Sequence, residues 1–184
     1  KTFLQQSSII TCGMLSMPSL MTAKEKNEII FGHHNKRYRI DTKWGALDFN
    51  RYPVKDCHEM VQDKAGRIIL LTNEIKNNVI IYDQKGKLIK TWGNEYPGAH
   101  GLTLFNENGE DVLFICDNNR HQVIKTTIDG RVLLTLDYPK ETGAYLNTTE
   151  YIPTETAIAP NGDIYVADGY GKDFWFKEVT EDEI

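Results

Sequence analysis

"HGLTLFNENGEDVLFICDNNRHQVIKTTIDGRVLLTL", His100 to Leu136, decides the fold, because it lies residue by residue over "HEMVQDKAGRIILLTNEIKNNVIIYDQKGKLIKTW", His58 to Trp92. Asn73 falls on Asp117, Val79 on Val123, Gly86 on Gly130 and Trp92 on Leu136, all at a spacing of 44. His58 falls on His100 at a spacing of 42, which puts two extra residues into the first hairpin of the later copy, within Asn108 to Asp111. A third copy, "PTETAIAPNGDIYVADGY" from Pro153 to Tyr170, sets Asp168 on Asp117 and Pro153 near the histidine position. The chain is a repeat protein.

Each copy reads as β structure. Short runs rich in Ile, Val, Leu and Tyr ("RIILLT", "NVIIYD", "KLIKTW", then "DVLFIC", "QVIKTT", "RVLLTL") alternate with Gly, Asn and Asp turns, and no amphipathic helix is evident. About four strands per unit of ~40 to 50 residues is the spacing of a β-propeller blade, which buries its faces only against neighbouring blades. The fold class is therefore all-β, an incomplete propeller of about three four-stranded blades. Blade units are expected near 24–57 (partial), 58–96, 97–140 and 150–184 (partial). "YRIDTKWG", Tyr38 to Gly45, echoes "LIKTWG", Leu88 to Gly93, as the outer part of an earlier blade. The third copy should reach a glycine near position 181 but has Glu181. Closed propellers use about 4 to 8 blades, so the chain reads as part of a longer propeller, with self-association as the competing route to closure.

The 184 residues are 40% hydrophobic and 10% aromatic, with a net charge of −5. With 26 acidic residues against 21 basic ones, there is no counterion-displacing basic face, and nucleic acid is excluded as the expected partner. Residues 1–23, "KTFLQQSSIITCGMLSMPSLMTA", read as an export signal of twin-arginine type, with Lys1 in the place of the second arginine and cleavage after Ala23. A lipobox ending at Cys12 competes, but Thr11 fits it badly. Gly13 and Pro18 break the run, so a membrane anchor is not expected. The mature protein is expected to start near Lys24, outside the cytoplasm in the periplasm or beyond. Export permits a disulfide between Cys57 and Cys116; two buried thiols is the favoured reading.

Candidate site residues follow from the repeats. His58 and His100 share one position on successive innermost strands and should project towards one end of the central channel. Two explanations stay open, a pair of imidazoles for a metal or a hydrogen bond to the next blade's backbone. Tyr170 has no tyrosine counterpart in the other copies, where Ile75 and Asn119 stand, which favours a functional role. His121 aligns with Asn77 and Arg120 with Lys76, so both default to hairpin surface, with substrate contact as the minority reading. Asp117, Asp168 and Asn73 are expected to accept backbone hydrogen bonds in their hairpins. His33 and His34 should be exposed ahead of the first strand. GxSxG, CxxC, P-loop and HExxH motifs do not occur.

"HGLTLFNENGEDVLFICDNNRHQVIK" and "PTETAIAPNGDIYVADGYG" together resemble six-bladed NHL-repeat propellers. They are most similar to the lyase domain of peptidylglycine α-amidating enzymes, over about Asp56 to Lys172. The resemblance implies a catalytic zinc on the propeller axis, held by histidines from several blades, and cleavage of a peptidyl α-hydroxyglycine to a peptide amide and glyoxylate. It implies that His100 is a zinc ligand, that Tyr170 is the base acting on the substrate hydroxyl, and that the Leu102 carbonyl binds a structural calcium. His58 has no clear counterpart there. The family's carboxylate-binding arginine is replaced near Asn73 and Glu74, and its further histidines would lie beyond Ile184. The expected function is an exported propeller with an axial histidine metal site; the alternative is a non-catalytic propeller that binds a peptide, glycan or protein on one face. Either way the expected ligand is a small molecule or peptide at the channel mouth.

Overall fold

The structure, a computed structural model, describes residues 30–171 and 176–179. The export segment, the start near Lys24 and Glu181 lie outside the described residues. The chain divides after Asp41 into two compact units.

In the first unit, β1 (Ile30–His33) and β2 (Lys36–Arg39) form an antiparallel hairpin with all eight residues exposed. His33 ends β1 and His34 turns the chain at φ 55°, so the two histidines are exposed as expected but belong to a hairpin instead of preceding the first strand.

The second unit is a series of antiparallel sheets in chain order. The first blade comprises β3 (Cys57–Gln62), β4 (Ile68–Thr72), β5 (Val79–Tyr82) and β6 (Leu88–Trp92). The second comprises β7 (Ala99–Glu107), β8 (Glu110–Asp117), β9 (Gln122–Thr127) and β10 (Val132–Leu136). Of the third, β11 (Glu155–Ile158), β12 (Ile164–Ala167) and β13 (Phe176–Val179) are described. Two short 3₁₀ turns, Lys140–Thr142 and Thr148–Glu150, lie in the connection between the second and third. No helix among the described residues is long and apolar enough to cross a membrane.

The run "VLFIC" is apolar throughout because β8 is central in its sheet and buried on both faces. Alternation sends Leu113 and Ile115 into a cluster with Ile69, Leu71, Val79 and Ile81 of the first blade. Val112, Phe114 and Cys116 point the other way, to Ile164, Val166 and Tyr151 at the third. Burying each such side chain contributes about 1.5–3 kcal/mol, so the blades hold one another. The two extra residues of the second copy lengthen its first hairpin, which closes on Asn108 and Gly109 at φ 51° and 89°. Positive φ at both central residues is the two-residue turn that matches strand twist.

Cys57 and Cys116 are both free thiols. Cys116 is buried, but Cys57 is exposed, which corrects the expectation of two buried thiols. Cys57 is the first residue of β3, a strand in which no residue is fully buried.

Candidate axial site

Inner strands β3, β7 and β11 lie side by side. Pairing of β3 with β4 slips between Cys57 and Glu59, and pairing of β7 with β8 slips between Ala99 and Gly101. His58 and His100 are thus each the extra residue of a β-bulge, a device that re-aims one side chain out of the ladder. The two imidazoles stack with centroids 4.3 Å apart and planes at 26°.

Tyr170, in the loop after β12, closes the group. Its ring meets that of His100 edge-on, 5.3 Å between centroids, and its hydroxyl is 3.2 Å from His100 Nε2. His100 Nδ1 lies 3.0 Å from the carbonyl oxygen of Thr154. A carbonyl only accepts, so Nδ1 carries the proton; Nε2 then offers its lone pair, and the tyrosine hydroxyl donates to it. Of the two explanations for the repeated histidine, the hydrogen bond to the next blade's backbone is present at His100, through Nδ1, while Nε2 faces the tyrosine. A backbone carbonyl on the far nitrogen is also what orients metal-binding histidines. The donor chemistry suits zinc through neutral imidazole, with two histidines present; among the described residues no group of three or more His, Cys, Asp or Glu is placed to hold a metal.

Below the imidazoles, Leu102 N–H donates to Glu59 Oε2 at 2.7 Å. An antiparallel residue turns its N–H and C=O to the same side, so the Leu102 carbonyl faces the inner edge with Glu59. Glu155 Oε1 accepts from Thr156 N at 2.9 Å and lies 2.7 Å from Thr103 Oγ1. Burial, reinforced by a hydrogen bond with Glu155, pushes the Glu59 carboxyl up to about 7. Carboxylate and carbonyl oxygens are the donors calcium takes.

Arg120 and His121 are not part of this group. Arg120 donates from Nη1 to Glu95 O (3.1 Å) and from Nε to Gln122 Oε1 (2.9 Å). It borders a groove of about 620 Å³ with Tyr138, Lys140 and Tyr151. His121 Nδ1 donates to Tyr151 O at 2.7 Å, tying the second blade to the chain leading into the third. Where the resemblance places an arginine, Asn73 is bonded to Asp56 and Glu74 accepts Lys76 N–H.

Asp117, Asp168 and Asn73 serve one structural purpose. Through Oδ1 they accept N–H from Gly98, Ile152 and Asp56, each just ahead of its own blade's inner strand. Asp117 adds the Asn119 and Arg120 N–H groups of its own turn. These bonds fasten the loop that bears Tyr170 in the third copy to the strand start that bears the histidine in the first two.

Thr154, Glu59 and Glu155 escaped the sequence reading. Aligning Glu59 with Glu155 would have found them, because it sets Thr154 on His58.

No protein-family model matches the chain. Peptidyl-alpha-hydroxyglycine alpha-amidating lyase 1 of Drosophila melanogaster is 30% identical over 153 residues, 80% of this chain and 24% of the fly protein. Acid ceramidase of Balaenoptera acutorostrata scammoni is 24% identical over 100 residues, 54% of this chain and 25% of that protein. The chain thus spans about a quarter of the length of the curated relatives it matches. Among solved structures, selenomethionine-substituted virginiamycin B lyase from Staphylococcus aureus superposes with a TM-score of 0.50 at 16% identity, covering 68% of this chain and 38% of that one. The four-stranded antiparallel sheets and these likenesses make the chain a β-propeller, similar in sequence to an amidating lyase and in fold to a virginiamycin lyase.

Proposed function

We propose that the chain is part of an exported, six-bladed NHL-type propeller with a zinc site on its axis and amidating-lyase chemistry. The observation that carries the reading is the arrangement of His100, stacked on His58, bonded through Nδ1 to Thr154 and facing the Tyr170 hydroxyl through Nε2. His100, with His58 beside it, would hold the zinc, and further ligands would come from blades outside this sequence. When bound, the metal supplies Lewis acidity towards a substrate oxygen.

The residues of this chain account for the proton transfer. Tyr170 is the base for the α-hydroxyl proton of a peptidyl α-hydroxyglycine. The carbinol C–O bond becomes a C=O bond, the C–N bond breaks with its electron pair going to nitrogen, and nitrogen takes up a proton. Peptide amide and glyoxylate leave with no water consumed. The Leu102 carbonyl, with Glu59 and Glu155 close by, is the proposed calcium position. The small-molecule or peptide ligand enters at the end where Tyr170 is exposed.

The test is metal content by mass spectrometry on the natural full-length protein, purified without chelator, beside His100→Ala. Near-stoichiometric zinc that falls in the variant, with glyoxylate released from an α-hydroxyglycine peptide, is the expected result. No transition metal in either folded protein would overturn the enzyme reading and leave a propeller that binds a peptide, glycan or protein partner.

A further inference from the structure

His100 and Tyr170 belong to different blades, and one residue touches the mounting of both. The Thr154 carbonyl accepts the His100 Nδ1 proton at 3.0 Å. The hydroxyl of the same residue accepts the Gly169 N–H at 3.2 Å and donates to the Ala167 carbonyl at 3.0 Å. Gly169 immediately precedes Tyr170, so Thr154 holds the imidazole with its backbone and the tyrosine loop with its side chain. The Thr154 N–H also reaches Ala167 O, at 2.8 Å, which anchors the residue itself to β12.

Two glycines make this closeness attainable. A Cβ on Gly169 would stand 2.6 Å from Thr154 Oγ1, and one on Gly101 would stand 2.4 Å from the Thr154 carbonyl oxygen. Neither residue has a positive φ, so what demands glycine there is the approach of Thr154. His100 lies next to Gly101 in sequence, so both residues that must be small are immediate neighbours of the site's two polar side chains.

We propose that Thr154 is the positioning residue of the axial site, setting the distance between His100 Nε2 and the Tyr170 hydroxyl. This rests on the proposed site but not on which metal or substrate occupies it. With a β-branched side chain, χ1 is restricted, and the hydroxyl stays aimed at the Gly169 N–H. Valine at this position keeps the shape and loses the hydroxyl; serine keeps the hydroxyl.

The experiment uses the full chain, stripped of metal with chelator, labelled with ¹⁵N-histidine, and follows the His100 Nε2 resonance, with Tyr170→Phe as the reference for a broken hydrogen bond. The expected result is that Thr154→Val moves the resonance to the Tyr170→Phe position while Thr154→Ser leaves it at the wild-type position. Gly169→Ala, which keeps the hydroxyl but displaces the loop, is expected to move it as Val does, and supplies the reading should Thr154→Val not fold. A wild-type resonance in folded Thr154→Val, or in Gly169→Ala should Thr154→Val not fold, would overturn the proposal. Because metal and substrate are absent, a failed zinc or lyase assay leaves this result unaffected, and the reverse also holds.

Discussion

Trp92 of the first blade lies against Gly130 of the second: its Nε1 donates to Ile128 O at 3.0 Å, and a Cβ on Gly130 would meet the indole at 2.6 Å. The same relationship recurs one repeat earlier, where Trp44 Nε1 donates to Gln84 O at 3.1 Å and a Cβ on Gly86 would meet its ring at 3.0 Å. Each carbonyl is two residues ahead of its glycine. Trp44 thus relates to the first blade as Trp92 does to the second, in keeping with the match of "DTKWG" to "IKTWG", although β2 ends at Arg39 and Thr42 to Gly45 form a turn. In the sequence both positions change together at the next step, Leu136 of the second copy standing for the tryptophan and Glu181 of the third for the glycine.

Gly130→Ala is therefore expected to cost more than Gly109→Ala. Both glycines have positive φ, 92° and 89°, but nothing lies within 4 Å of a Cβ at Gly109. The left-handed backbone alone costs about 1–2 kcal/mol, and crowding Trp92 adds about 1–3 kcal/mol. Urea denaturation of both variants measures the difference; equal losses would remove the indole contact as the reason for glycine.

Tyr170→Phe should leave stability within about 0.5 kcal/mol of wild type, since the side chain is 62% exposed. In the full-length protein it is expected to retain zinc and lose glyoxylate release. Loss of the metal, or unchanged turnover, would contradict the role of base.

In protein stripped of metal, Glu59 should make stability fall as pH rises from about 4.5 to 7. Glu59 ordinarily titrates at 4.5, and in the fold it is pushed up to about 7 by burial and by its bond with Glu155. Between these values the native state holds a proton that the unfolded chain has released, so raising pH favours unfolding. The cost is complete above pH 7 and absent below the unfolded value. Thermal melts across this range should show a shallower slope in Glu59→Gln, the difference between the two proteins isolating this carboxyl.

Asp117→Asn should be tolerated, within about 1 kcal/mol, and Asp117→Ala should not, losing about 2–5 kcal/mol. Burial pushes the Asp117 carboxyl up while the Arg120, Gly98 and Asn119 N–H groups pull it back. All three bond to Oδ1, and Oδ2 is buried without a partner among the described residues. An amide keeps the acceptor, as Asn73 does in the first copy. Chemical denaturation of the two variants distinguishes the outcomes; equal loss would show that the charge itself is required.

By itself the sequence determined the strands, the blade unit and the shared position of His58 and His100, because side-chain alternation and turn residues act over a few neighbours and a 44-residue repeat exposes them twice. It also singled out Tyr170, as the residue that departs from the repeat. Only the tertiary structure decided that His100 and Tyr170 meet, that Arg120 turns to Glu95 instead, that Cys57 is exposed, and that Thr154, Glu59 and Glu155 bond to His100, Leu102 and Thr103. Those facts depend on how one blade's inner strand approaches the next, through bulges at the histidines and close contacts at Gly101 and Gly169. Such contacts join residues 15 to 70 positions apart in the chain, and local pattern, which follows from backbone geometry within a single strand or turn, carries no information on them.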